Sequence, residues 1–320
     1  MSRHGAGVAA ERSAVHRRGP SGGDRNIGAW NSGPGTINVG GHAVGMHRPA
    51  PAAAAGASAG TPPPADIGIL TVLPVETSAV VEVLRRACAY RTGQLPGGAQ
   101  VHQAHVPTDE GQLRVVAMQT LNPGQRSATV AYQQLRRHFA PPVVLLVGIA
   151  GGIGTRVDIG DVVLADEVIY YDSRRETGSG VRRRGQEQRV TSVLRHRLDE
   201  FLRVHGEFCE IAPGYLVPVR RGPIGSGEAV PADRASDIRR YLLDFNDKTL
   251  AVETEAAGVA QAFHEEVGTD RTLRGWLTIR GISDLADAHK GDGYHRLAAQ
   301  HAAAVLERLL PFLRLSDAAQ

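Results

Sequence analysis

The chain has 320 residues, 42% hydrophobic and 22% charged, enough for one large domain or two small ones. A net charge of +3, a pI of about 9.1, scattered arginines and only 5% aromatics argue against a nucleic-acid surface. Two cysteines, Cys88 and Cys209, with no CxxC pair argue against a disulfide framework and a cysteine-built zinc site and predict a reducing, cytoplasmic setting, and no apolar run reaches membrane-spanning length.

Residues 1–65 are rich in Gly, Ala, Ser and Pro and poor in large apolar side chains, which predicts a disordered leader or linker. No apolar h-region follows Arg12, Arg17 and Arg18, so a secretory signal is not expected. Folded character begins at Asp66. Ile67–Leu73 reads as a strand, and Glu76–Arg86 as a helix with Val80, Val83, Leu84 and Ala87 on one face. Val101–Val106 and Leu113–Gln119 read as strands around a polar turn, and Gly124–His138 as a helix stopped by Pro141 and Pro142.

Val143–Val147 is a continuous apolar run, the pattern of a strand buried on both faces of a sheet. It runs into Gly148, Gly151, Gly152 and Gly154, which predicts a glycine turn with positive φ or close backbone approach to something bound. Asp161–Tyr171 reads as a strand, the arginine-rich Asp172–Arg189 as a loop, and Val190–His205 as a helix. Gly214–Gly227 is extended and closes on a second glycine turn. A helix over Ala232–Leu243, a short strand Thr249–Val252, a helix Glu255–Glu266, a strand Trp276–Ser283 and a final helix Tyr294–Leu313 complete the chain. This alternation predicts one α/β domain over residues 66–315 with a mixed or parallel sheet.

Several motifs are absent. GIAGGIG at Gly148–Gly154 is not GxGxxG, and no GxxxxGK[ST] occurs. Ile224 before Gly225-Ser226-Gly227 rules out a nucleophile elbow. His289 and His295 lack metal-helix spacing, so no metal and no cofactor are expected. What remains is a set of carboxylates at strand ends: Glu76, Glu253 and Glu255, and Asp284. Such positions converge on the crevice of an open α/β sheet, although Glu255 and Asp284 also fit plain helix caps.

The ordered motifs strand–Glu76, GIAGG (Gly148–Gly152), GDVVLADEVIYYD (Gly160–Asp172), GSGEAV (Gly225–Val230), VETEAAG (Val252–Gly258) and RGISDLAD (Arg280–Asp287) resemble the nucleoside phosphorylase/nucleosidase superfamily. The likeness is greatest to its methylthioadenosine/S-adenosylhomocysteine nucleosidase branch. The resemblance implies a three-layer domain with a central mixed sheet flanked by helices, a homo-oligomer, and a small-molecule nucleoside or nucleotide substrate. It implies that Glu76 activates water, that Glu255 holds the ribose hydroxyls, and that Asp284, supported by Ser283, protonates purine N7. It sets Ala229 and Val230 at the adenine edge, Thr254 under the sugar, and Ile149, Ala150, Gly151 and Gly152 around the water pocket. Val230 replaces a stacking aromatic, Thr254 a methionine and Ile149 a small hydroxyl residue. SDLADAHKGDGY also resembles effector domains of immune-type proteins, for which adenine nucleotides are the expected substrates; Arg174, Arg175, His289 and Lys290 would then meet a 5′-phosphate.

Phosphorylases of the superfamily carry Gly-Asp-Pro-x-Arg after the first strand, whereas this chain has Thr71-Val72-Leu73-Pro74-Val75-Glu76. A carboxylate there repels phosphate, so hydrolysis is favoured over phosphorolysis. A phosphate-dependent phosphorylase, an AMP or ATP nucleosidase acting in defence, and a sensing module without turnover remain the alternatives.

Overall fold

A computed structural model describes residues 64–288 and 291–315. In chain order the elements are β1 (Ile67–Thr71), α1 (Pro74–Arg86), β2 (Cys88–Gln94), β3 (Gln100–Thr108), β4 (Gly111–Gln119), α2 (Gln125–Phe139) and β5 (Val143–Gly152). They continue with β6 (Val162–Tyr170), β7 (Arg174–Thr177), β8 (Gly180–Arg183), β9 (Gln186–Arg189), α3 (Ser192–His205), β10 (Phe208–Ala212) and β11 (Tyr215–Ser226). The last are α4 (Asp237–Phe245), β12 (Ala251–Glu253), α5 (Ala256–Glu266), β13 (Gly275–Asp284) and α6 (His295–Leu309).

The main sheet runs β10-β11-β6-β13-β5-β1-β4-β3-β2, with β12 bridging β11 and β5, and β9 beside β6. It is mixed: β1 is parallel to β4 and β5, and β13 is parallel to β5 but antiparallel to β6. β1 and β13 are buried at every residue and β5 at all but Ile149. Because side chains alternate between faces, a strand buried throughout has helices on both sides of it, which is the three-layer arrangement. On one face Gly68 sits against Leu135 of α2, which packs on α5; Gly281 sits against Ala298 of α6, which packs on α1.

Several expectations need correction. The leader read as residues 1–65 lies outside the described residues except for Pro64 and Ala65, and Ala65 is buried, with its N–H bonded to Phe139 O at 2.8 Å. The expected glycine turn after Val147 is strand: β5 continues to Gly152, in register with β13 up to Ala150↔Ile282, after which a bulge brings Gly151 opposite Asp284. None of Gly148, Gly151, Gly152 and Gly154 has positive φ. The expected loop Asp172–Arg189 holds three short strands; β7 and β8 pair as a separate hairpin and β9 joins β6. Their polar and charged residues gave no apolar alternation to read. β2 and β10 were not anticipated, and the helix expected over Ala232–Leu243 begins at Asp237, where the Ser236 hydroxyl caps the Ile238 N–H.

Candidate active site

The strands β1, β5, β12 and β13 end at one cleft of about 170 Å³. Its wall includes Leu73, Glu76, Ile149, Ala150, Gly151, Val230, Glu253, Thr254, Glu255, Ser283, Asp284 and His295.

Glu76 owes its place to the start of α1. Pro74 opens the helix without needing an N–H partner. Glu76, two residues on, turns its carboxylate back: Oε2 accepts from the N–H groups of Val72 and Leu73, both at 2.8 Å. Oε1 accepts from Ile149 N at 2.8 Å and lies 3.8 Å from Arg280 Nη1. A carboxylate oxygen accepts at about two sites, so Oε1 keeps capacity toward the cleft. Burial pushes the Glu76 carboxyl above its ordinary 4.5, opposed by the Arg280 charge and the three backbone donors.

The glycines of β5 make room for these groups. A Cβ on Gly148 would collide with the Glu76 carboxylate and the Arg280 guanidinium, and one on Gly151 would come 3.0 Å from Asp284 Oδ1. The requirement expected of this stretch is therefore close approach, to the protein's own charged side chains.

The start of α5 fixes the next pair. Glu253 accepts from Glu255 N (3.1 Å) and Ala256 N (2.9 Å), and the Ser226 hydroxyl accepts from Ala257 N (3.0 Å) and Gln125 Nε2 (2.8 Å). These contacts satisfy helix-start donors that have no partner inside the helix. Glu255 accepts from Gly124 N at 2.9 Å and from the Thr254 hydroxyl through Oε1, and from Arg280 Nη2 at 3.0 Å through Oε2. Arg280 Nη2 also donates to Glu253. One guanidinium, 1% exposed, thus serves three buried carboxylates. Burial raises the Glu253 carboxyl too, against the Arg280 attraction and with the Glu255 charge adding to the rise.

Asp284 ends β13 on the far wall. The Ser283 hydroxyl donates to its Oδ2 at 3.0 Å, and the Ala286 N–H to its Oδ1 at 2.9 Å. The segment carrying Ala229 and Val230 is tied to the end of β6: the Tyr171 hydroxyl donates to Ala229 O at 2.7 Å, and Glu228 N donates to Asp172.

Glu76, Glu255, Thr254, Ser283, Asp284, Ile149, Ala150, Gly151 and Val230 therefore share one cleft, and Ala229 is not among its lining residues. Gly152 lies behind it, packed against Val157, Ile282 and Leu285. Arg174 and Arg175 do not line it; they are exposed on β7, Arg174 beside Glu176 at 3.2 Å. His289 and Lys290 lie outside the described residues. Sequence reasoning missed Arg280, Glu253's part in holding it, and His295. The signal for Arg280 was a lone arginine inside the apolar run WLTIRGIS, since a charge in a buried strand needs buried partners. Among the described residues no group of three or more His, Cys, Asp or Glu is disposed to hold a metal. No described helix is long and apolar enough to cross a membrane.

The chain is an α/β protein with its acids at the carboxyl ends of the strands, the place where open α/β sheets take ligands. The phosphorylase superfamily profile matches residues 66–313, and the chain belongs to that superfamily. It is 27% identical over 258 residues to the ATP nucleosidase Cap17 of Escherichia coli (strain KTE188); the match takes in 74% of this chain and 49% of that protein, so the chain spans about half of that relative's length. It is likewise 27% identical over 259 residues to the 5′-methylthioadenosine/S-adenosylhomocysteine nucleosidase of Mycobacterium bovis, covering 74% of this chain and 98% of that one. Its fold resembles S-adenosylhomocysteine nucleosidase from Streptococcus pyogenes, solved with 5-methylthiotubericidin (TM-score 0.62, 21% identity, 79% and 98% of the two chains). It also resembles futalosine hydrolase of Helicobacter pylori (TM-score 0.60, 20% identity, 76% and 96%).

Proposed function

We propose that this protein is an N-glycosyl hydrolase that cleaves an adenine nucleoside or nucleotide and releases adenine. The observation that carries this reading is the convergence of Glu76, Glu255 and Asp284, from three separate strand ends, on one cleft. Breaking the C1′–N9 bond leaves positive charge on the sugar and sends the bonding electrons into the base, as in other glycoside cleavages. Asp284 delivers a proton to purine N7, with Ser283 and the Ala286 N–H holding the carboxyl in place. Glu255 accepts hydrogen bonds from the ribose hydroxyls, which strengthen as the sugar becomes cationic. Glu76 takes a proton from water as its oxygen bonds to C1′. Thr254 and Ile149 border the sugar, and the backbone at Ala229 and Val230 reads the adenine edge.

Relatives named as nucleosidases support the adenine-nucleoside class. A carboxylate, held by Ile149 N where an incoming phosphate would approach, supports water over phosphate. The alternative within the class is an adenine nucleotide substrate in a defence role, favoured by the 27% identity to the ATP nucleosidase and by His295 in the cleft wall. We read the protein as cytoplasmic, on its two free cysteines, and as a homo-oligomer, on its membership of the superfamily.

The test is adenine release from adenosine, methylthioadenosine, S-adenosylhomocysteine, AMP and ATP, each with and without phosphate. Release from at least one substrate without phosphate supports the reading. Release only with phosphate makes the protein a phosphorylase, and tight binding without release on every substrate makes it a sensing module.

A further inference from the structure

The β7–β8 hairpin is a two-stranded ribbon that joins no other strand, and such ribbons are marginal in water. Its register sets Arg174 opposite Arg183 and Arg175 opposite Arg182. Like charges directly opposite destabilise a strand pair, and here both arginine pairs lie in a ribbon with little else to hold it.

The two faces of the ribbon differ. On one, Arg174 lies 3.2 Å from Glu176, and Arg183 is half-buried, donating to Tyr171 O at 3.0 Å with Asp172 Oδ1 3.7 Å away. That face is neutralised and anchored beside the segment Glu228–Ala229 through Asp172 and Tyr171. Alternation puts Arg175, Arg182 and Arg184 on the other face, all exposed. Among the described residues none of these three has a carboxylate within 4.0 Å, and Arg184 is held in the ribbon by its N–H bond to Ser173 O (2.6 Å). A groove lined by Arg156, Arg189, Arg195, Arg221 and Lys248 is more nearly neutralised: Arg189, Arg195 and Arg221 there pair with Glu167, Glu187, Asp166 and Asp199.

We propose that the face bearing Arg175, Arg182 and Arg184 binds the polyphosphate of a nucleoside di- or triphosphate, at a site outside the catalytic cleft. Three guanidinium groups spaced about 5 Å across the strands and about 7 Å along one strand can share the consecutive phosphates of one small ligand. An anion between the opposed arginines relieves their repulsion. The segment Ser173–Arg184 contains no aromatic residue on which bases could stack, and three cations are few for a duplex backbone. This favours a small polyphosphate over a nucleic acid. The proposal does not depend on the catalytic reading, because none of the five arginines lines the cleft.

The experiment titrates tripolyphosphate by calorimetry into the full-length Asp284→Asn protein at near-physiological salt, then reads ATP and AMP by their displacement of bound tripolyphosphate, so that nucleotide in the cleft does not count. Tripolyphosphate and ATP are expected to bind alike and AMP at least tenfold more weakly. Arg175→Gln/Arg182→Gln/Arg184→Gln is expected to weaken tripolyphosphate at least tenfold, whereas Arg156→Gln/Arg189→Gln/Lys248→Gln in the other groove is expected to leave it unchanged. Arg182→Gln alone should weaken it severalfold, and tripolyphosphate should slow trypsin cleavage within the hairpin of the unsubstituted protein. Equal binding by the hairpin triple variant, equal binding of AMP and ATP, loss confined to the other groove, or displacement of tripolyphosphate by an oligonucleotide at matched phosphate concentration would each overturn the proposal. Failure of adenine release in the substrate panel would leave these binding results standing.

Discussion

Replacing Arg280 by methionine keeps the volume of an unbranched chain and removes the one cation among Glu76, Glu253 and Glu255. The consequence follows from distance and burial. Arg280 Nη1 lies 3.8 Å from Glu76 Oε1, and both side chains are at most 2% exposed. At an effective dielectric of about 20, that separation is worth about 4 kcal/mol of attraction, or roughly a thousandfold in the protonation equilibrium of the carboxyl. Burial already raises Glu76, so without Arg280 the carboxyl holds its proton at neutral pH and cannot accept one from water. Removing one partner from a buried ion cluster also costs about 3–5 kcal/mol of stability, tempered here because the orphaned carboxyls can take up protons. Arg280→Met is therefore expected to lose stability in urea unfolding by a few kcal/mol, to lose about two to three orders of magnitude in kcat at neutral pH, and to recover part of its activity at alkaline pH. An unfolding free energy within about 0.5 kcal/mol of the parent, with an unchanged pH–rate profile, would refute the idea that Arg280 keeps Glu76 ionised.

Other outcomes follow from the same geometry. Asp284→Asn keeps the side-chain shape but cannot supply a proton; kcat for adenine release is expected to fall by about 10²–10⁴ with little change in KM, and near-parental kcat would remove Asp284 from the acid role. Gly148→Ala puts a methyl group where the Glu76 and Arg280 head groups lie, so a loss of about 1–3 kcal/mol and most of the activity is expected; a stable, active variant would contradict the packing described. A base must be ionised, so the acid limb of the kcat/KM profile should lie above 4.5, the ordinary value from which burial displaces Glu76. The stability effect runs the other way. A carboxyl raised in the folded state contributes stability that is present below its unfolded value and is lost as pH rises through the folded one. The parent should therefore lose stability relative to Glu76→Gln as pH rises above about 4.5, the ordinary value from which burial displaces the carboxyl. A flat difference across urea midpoints would contradict the buried, raised carboxyl.

The strand-end acids were legible because a carboxylate directly after an apolar run, in an alternating α/β pattern, has few places to go but the crevice. Glu76, Glu255 and Asp284 all follow that rule. What joins them was not legible. Arg280 comes from the middle of β13, and only the register of β13 with β5 brings it beside Glu76, more than two hundred residues earlier in the chain. Glu253 was visible as a strand-end acid, but its work as the anchor of Arg280 and the cap of α5 depends on packing between elements. The glycines of β5 were read as a turn because glycine usually breaks a strand. Here they allow β5 to pass close to charged side chains, a reason that appears only when Glu76 and Asp284 are in place. The arginine hairpin carries no apolar alternation and so resembled a loop.

The central claim is that Glu76 directs water, and not phosphate, at C1′ while adenine departs. The most direct measurement is the reaction in ¹⁸O-labelled water with phosphate present, followed by mass spectrometry of the sugar product. The account predicts free sugar carrying the label at its C1′ oxygen, together with adenine, and loss of this product in Glu76→Gln. Sugar 1-phosphate as the primary product, or undiminished labelled sugar from Glu76→Gln, would contradict it.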